Sequence, residues 1–278
     1  METWTDPFYI RHLVQHGTKY GIASEPVAEC VSQHELDQAY AAIRELRILY
    51  PRRFVLSGTG EVTRMKFSLL MATKNRPLMA IKAIEAVILQ SDTFYNWELV
   101  VNDGSKHDLH PALFRFPDPR IKWHHDAGRT FIEACNEMLQ RATGDIFCFV
   151  NDDDVMIPGA LRYVADNIGD AKWLVGRMLY EDAPYGHAGT LEELMAGNYI
   201  PQPAVFWTRD AYDTIGGFDS HLWLAEDYDY WLRLWKAFGP PKFVDGIITA
   251  YGVHPGQMTQ VHQHEQCLAA QRVRDKHG

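Results

Sequence analysis

The chain has 278 residues, 46% hydrophobic and 23% charged, which suits one large α/β domain or two small ones. Its formal net charge of -9 argues against general nucleic-acid binding, which needs a basic footprint, although a local basic groove is compatible with it. Four cysteines (Cys30, Cys135, Cys148 and Cys267) lack CxxC spacing, so neither a zinc site nor a disulfide framework is indicated. Cys135 and Cys148 fall in apolar patterns and read as small core residues. No apolar run has the length of a membrane span, and no signal-peptide pattern opens the chain. The expectation is a cytoplasmic protein without an integral membrane segment, with peripheral association at a membrane left open.

Residues 1–64 predict a helical extension. A short helix is expected over 6–14, and a stronger one over 35–50, where Leu36, Tyr40, Ile43, Leu46 and Leu49 recur at helical spacing before Pro51. Ser57-Gly58-Thr59-Gly60 reads as a linker. This segment carries no catalytic cluster and is expected to pack on the main domain, or to serve an oligomer or another partner.

From Met65 onward, strand and helix signals alternate. Strands are expected at 67–72, 97–101, 121–124 and 146–150, with helices from Pro77 to about Leu89 and from about Thr130 to Arg141. Such alternation predicts βαβ units, right-handed crossovers and a mostly parallel sheet flanked by helices. Polar residues then follow three strands in turn: Thr73 and Asn75, Asp103 and Ser105, and Asp152 to Asp154. All would lie along the carboxyl rim of the sheet, where open α/β sheets bind ligands.

The run Asn151-Asp152-Asp153-Asp154 admits two readings on its own. Packed carboxylates repel and call for a cation, and hard oxygen ligands suit Mg2+ or Mn2+, which would make this a metal–diphosphate site. Alternatively it is a solvated acidic turn in which Asp154 caps a helix that Pro158 helps to start.

Beyond it, strands are expected near 173–176, 204–207, 242–244 and 247–251, and helices near 191–195, 209–215 and 224–235. Tyr228, Trp231 and Trp235 fall on shared helix faces and are expected in the core. The last 18 residues, 261–278, form a C-terminal tail or helix outside a main domain of residues 65–260.

Five stretches now resemble the family 2 glycosyltransferases, which have the GT-A fold. They are residues 68–76 (SLLMATKNR), 101–105 (VNDGS), 151–154 (NDDD), 216–219 (GGFD) and 226–233 (EDYDYWLR). Their order and spacing cover roughly residues 65–260. The resemblance implies an α/β, Rossmann-like domain that moves a sugar from a nucleotide diphosphate donor, usually with inversion and with a divalent metal. It implies that Thr73, Asn75 and Arg76 border the nucleoside, with Asp103 accepting from the base or ribose. A turn-forming role for Asp103 in Asn-Asp-Gly-Ser is the alternative.

By the same resemblance, residues 152–154 match the DXD region. Asp152 would lie on the ribose or metal, Asp153 and Asp154 would serve the metal, and Asn151 stands where an Asp is frequent. A cation there would offset the charge of the leaving diphosphate. Asp227 matches the general base, which an inverting transfer needs beside the acceptor hydroxyl. His254, after the last expected strand, would contact metal or diphosphate. Trp223, Glu226, Tyr199 and Gln202 are candidates for the acceptor side. Ala134-Cys135-Asn136 departs from a frequent Ala-Arg-Asn, and Arg129 could replace the missing arginine in space. The QxxRW motif of processive synthases is absent, which favours single or distributive transfer.

The expected activity is therefore a metal-dependent inverting glycosyltransferase with a nucleotide-sugar donor, foremost a UDP-sugar, and Mn2+ or Mg2+ as cofactor. The acceptor could be a glycan, a lipid-linked saccharide, a protein or a small molecule. A nucleotidyltransferase would instead want a glycine-rich phosphate loop, and no glycine lies between Phe67 and Leu89. A non-catalytic nucleotide-sugar binder or scaffold is the rival of another class.

Overall fold

The computed structural model describes residues 65–109, 118–181, 183–254 and 256–278, so the expected N-terminal extension lies outside the described residues. Among the described residues nine strands form one sheet. In chain order they are β1 (Phe67–Thr73), β2 (Trp97–Asp103), β3 (Ile121–His125), β4 (Ile146–Phe149), β5 (Val155–Met156), β6 (Trp173–Tyr180), β7 (Ala183–Tyr185), β8 (Val205–Thr208) and β9 (Lys242–Ala250). They lie side by side as β3-β2-β1-β4-β8-β6-β9-β5, with β7 paired to β6. The β3-β2-β1-β4 half is wholly parallel. The other half is mixed: β8 runs antiparallel to β4 and β6, whereas β9 is parallel to β6.

The parallel half follows from strands that are apolar on both faces. Leu70, Val100, Phe147 and Phe149 point into one core, while Phe67, Leu69, Met71, Leu99, Val101, Ile146 and Cys148 point into the other. Crossover helices cover these faces. Helix α1 (Pro77–Leu89) opens on a proline, whose missing N–H and fixed φ suit a first turn. Helix α2 (Phe131–Arg141) opens on a capping box between Thr130 and Glu133. Registers Thr73↔Asp103 and Asp103↔His125 set these residues level on the carboxyl rim.

Three local expectations change. Asp154 does not cap a helix at Pro158; its carboxylate is taken by the Gly252 N–H (2.9 Å) and by Asn151 Nδ2 (2.8 Å). The chain instead makes β5 against β9, and α3 (Ala160–Ile168) starts after Gly159, whose φ is 84°. The two strands expected at 242–244 and 247–251 are one strand, β9. Gly246 interrupts the apolar pattern because a Cβ there would lie 2.3 Å from the Tyr163 ring, which packs on this backbone. Strand β7 was not expected: it is short, exposed and contains Pro184, so it carries no apolar alternation.

Three further helices follow, α4 (Leu191–Ala196), α5 (Arg209–Ile215) and α6 (Glu226–Phe238). Helix α6 is anchored by the expected aromatic face, with Tyr228, Trp231 and Trp235 buried and the Trp173 and Trp231 rings stacked at 6.4 Å. After the short α7 (Met258–Val261), α8 (Gln263–His277) buries Ala269 and Val273 in the same core as α6. Its end is pinned to α6 through the fully buried Asp229, which pairs with Lys276 and His277 at 2.8 Å each, and with Arg233 at 2.8 Å. Burial pushes the Asp229 carboxyl up, but the hydrogen bonds from Lys276, His277 and Arg233 outweigh it and hold the carboxyl below the usual range.

Asn136 explains a part of the motif at 134–136. Its Nδ2 donates to Phe218 O (2.9 Å) and its Oδ1 accepts from Phe218 N–H (2.7 Å). A Cβ at Gly217 would lie 2.3 Å from that Oδ1, so the glycine lets the 216–219 turn close on α2. Asn136→Ala is expected to lower stability by about 1–3 kcal/mol, the cost of two unmet backbone groups, read as a lower urea midpoint at unchanged slope.

Candidate active site

The rim carries two acidic centres. At the first, Asp152 sits behind β4 and accepts from Thr73 Oγ1 at 2.8 Å. The Arg76 guanidinium lies between two carboxylates: Nη1 is 3.3 Å from Asp152 Oδ1 and 3.2 Å from Asp153 Oδ2, and Nη2 donates to Gly256 O (3.0 Å). His254 Nε2 lies 3.0 Å from the same Asp153 oxygen. The ring is set by Gly256 N–H, which donates to Nδ1 at 3.2 Å and so turns Nε2 toward Asp153. Burial and the Asp153 charge raise Asp152 to about 6, against the opposing pull of Arg76 and Thr73.

The triplet is thus split by orientation. Asp152 and Asp153 face Arg76 and His254, whereas Asp154, only 2% exposed, faces inward to Gly252 and Asn151. Burial and the Asp153 charge raise Asp154 well above the carboxylate range. Arg76 lies between Asp152 and Asp153, and the Asp153 carboxylate is a hard oxygen donor that suits Mn2+ or Mg2+; His254 Nε2 faces it with the proton of the tautomer set by Gly256 and would have to change tautomer to join a metal. Among the described residues no group of three or more His, Cys, Asp or Glu side chains could hold a metal by itself. The fit is therefore to a cation that takes its remaining ligands from a bound diphosphate and water, as Mg2+ commonly does.

Beside this centre, Asn75 adopts φ 57° and its N–H donates to Ser105 Oγ at 2.7 Å, tying the ends of β1 and β2. The side chain of Asn75 is exposed. Asp103 is fully buried, and its two oxygens accept from the N–H groups of Ser105 (2.9 Å) and Leu109 (2.8 Å). It organises the loop after β2, and only its second lone pairs remain for a ligand.

The second centre is the start of α6. Asp227 Oδ1 accepts from Tyr228 N–H (2.7 Å) and Oδ2 from Asn198 Nδ2 (3.2 Å). Burial raises Asp227 to about 6 despite these donors. Glu226, its neighbour, is raised to about 8 by burial and by the Asp227 charge. Residues 198–202 join the centres, because Gln202 Oε1 accepts from Asn151 Nδ2 at 3.1 Å while Asn198 reaches Asp227. Four peptide units span at most about 14 Å, which bounds how far apart those two anchor points lie.

Tyr199 stacks on His187 with centroids 4.6 Å apart, and Gly189 permits this, since a Cβ would lie 2.3 Å from the tyrosine ring. Trp223 is 44% exposed and meets His262 edge-on at 5.1 Å. Arg129 pairs with Asp126 and with Glu137 on α2. Sequence reasoning missed Asn198, which lies in a loop without a motif and meets Asp227 across 29 positions.

A parallel half-sheet with carboxylates at its rim, completed by a mixed half and a helix that opens on an acidic pair, is the architecture of the GT-A type of fold. Residues 68–199 match the model of glycosyl transferase family 2. Over 213 residues the chain is 25% identical to WcaA of Escherichia coli K12, named as a colanic acid biosynthesis glycosyl transferase, covering 69% of this chain and 74% of WcaA. It is also 25% identical to a PGL/p-HBAD biosynthesis glycosyltransferase of Mycobacterium bovis, covering 64% and 72%. Among solved structures, the mannosyltransferase PcManGT of Pyrobaculum calidifontis, in complex with GDP-Man and Mn2+, superposes with a TM-score of 0.63. That likeness has 13% identity and covers 98% of this chain and 75% of PcManGT. Residues 1–349 of TarS from S. aureus, in complex with UDP-GlcNAc, match with a TM-score of 0.59 at 18% identity, covering 69% and 60%. The chain spans only 37% of the longer TarS structure.

Proposed function

We propose that the chain transfers a glycosyl group from a nucleoside diphosphate sugar to an acceptor hydroxyl with inversion, with Mn2+ or Mg2+ at Asp153 and His254. The observation that carries this reading is the pair of acidic centres joined by residues 198–202, one neutralised by a cationic side chain and the other on a helix start. Bound at the first centre, a divalent cation supplies charge neutralisation to the diphosphate. Thr73 and Arg76 hold Asp152 in place, and Asn75, Arg76 and the loop organised by Asp103 border the nucleoside. Asp227 Oδ2, released by Asn198, takes the proton of the acceptor hydroxyl as that oxygen attacks the anomeric carbon.

A UDP-sugar is the favoured donor, although the structural neighbours were solved with both UDP-GlcNAc and GDP-Man. The acceptor is a glycan, lipid-linked saccharide, protein or small molecule that meets Tyr199, Gln202, Trp223 and Glu226. Among the described residues no helix is long and apolar enough to cross a membrane. Incubation with a panel of UDP- and GDP-sugars, with Mn2+ and with EDTA, tests the reading. One donor is expected to release its nucleoside diphosphate slowly and only with metal; no binding and no release from any donor would overturn it.

A further inference from the structure

The two carboxyls that open α6 are treated unequally. Both oxygens of Asp227 have hydrogen-bond donors. Glu226 has its Oε2 sealed from solvent without a partner, while the backbone N–H groups of Leu224, Ala225 and Glu226 face the carboxyl. Leu224, at φ 72°, turns the chain into this arrangement. The titratable groups that face Glu226 are Asp227 on its own helix and the buried thiol of Cys135 on α2. The three N–H groups favour the ionised form, but an ionised Oε2 sealed from solvent without a partner and beside another carboxylate is disfavoured more strongly, so burial and the Asp227 charge prevail.

We propose that Glu226 is a positioning residue that carries the proton of a two-carboxyl unit, so that the single negative charge of the unit resides on Asp227. This rests on the reading of Asp227 as the base. Burial sets the two steps apart, Asp227 titrating near 6 and Glu226 near 8, and the singly charged unit dominates between them. Asp227 is then ionised at neutral pH without a second charge beside the acceptor hydroxyl, and a Glu226 that lost its proton would repel it.

The test uses Glu226→Gln, which keeps the shape of the neutral acid, beside Glu226→Ala, with donor hydrolysis followed from pH 5 to 9. Glu226→Gln is expected to lose the alkaline limb near pH 8 that wild type shows, and Glu226→Ala to fall at least about tenfold. In wild-type protein labelled with 13C at the glutamate carboxyls, one resonance is expected to titrate near pH 8, and Glu226→Gln should lack it. Stability gives a third readout. A carboxyl whose folded pKa is raised keeps its full contribution below its unfolded pKa and loses it as pH rises toward 8. Thermal melts should therefore show wild type losing ground to Glu226→Gln between pH 5 and 9. An alkaline limb that persists in Glu226→Gln, or no glutamate resonance titrating above about pH 6.5, overturns the proposal. Full activity in Asp227→Asn would instead overturn the base assignment, while the 13C titration still judges where the proton sits.

Discussion

Asp227→Asn is expected to lower nucleoside diphosphate release by about 10³-fold while donor affinity changes by less than about threefold. A positioned general base contributes about 10² to 10⁴ in rate, and this one acts on the incoming oxygen rather than on the donor. The substitution is nearly isosteric. The new amide oxygen can still accept from Tyr228 N–H or from Asn198, and the anchoring aromatics of α6 are untouched. The loss should thus appear in kcat with KM for the donor unchanged, the pattern of an interaction made in the transition state. The acid limb supplies an independent sign. Because burial lifts Asp227 to about 6, wild-type activity should fall as pH drops through that value. In Asp227→Asn the residual rate should be flat there. Isothermal titration with the donor and a release assay over pH 5 to 8 separate these effects, and undiminished turnover would remove Asp227 from the mechanism.

The parts legible in sequence were those whose physics is local. Strands buried on both faces announce themselves as apolar runs, so β1, β2 and β4 and the rim residues after them were all placed from composition and order. The aromatic face of α6 and the span of α2 likewise rest on neighbours within one or two turns. What escaped depends on contacts distant in the chain. Asp154 is drawn inward by Gly252, 98 positions away, and a propensity argument at Pro158 cannot register that. Asn198 and Gly256 acquire roles only when loops from the second half fold over the rim. Strand β9 looked like two because a glycine required by Tyr163 breaks its pattern. Within the acidic run, sequence left open which two carboxylates would meet a cation, and burial turns Asp154 inward, away from Asp152 and Asp153.

That difference sets the second large effect. Asp153→Asn is expected to weaken Mn2+ binding in the presence of a nucleoside diphosphate by about 10²-fold or more, since losses of 10- to 100-fold already follow from removing groups behind metal ligands. Of the three carboxylates, Asp153 shares an oxygen between Arg76 and His254. Asp154→Asn should behave differently. Its site is dry and already met by Gly252 N–H and Asn151, so the new amide meets a donor where an acceptor stood, and the effect is on stability, about 1–3 kcal/mol. Manganese titration by electron paramagnetic resonance, with urea melts of both variants, distinguishes a binding loss from a folding loss. Raising Mn2+ should restore part of the activity of Asp153→Asn and none of the stability of Asp154→Asn. Arg76 supplies the control, because its guanidinium already neutralises Asp152 and Asp153 without any ion. If EDTA and Asp153→Asn both left donor release unchanged while Arg76→Ala abolished it, the counter-charge for the diphosphate would be the arginine, and the metal assignment would fall.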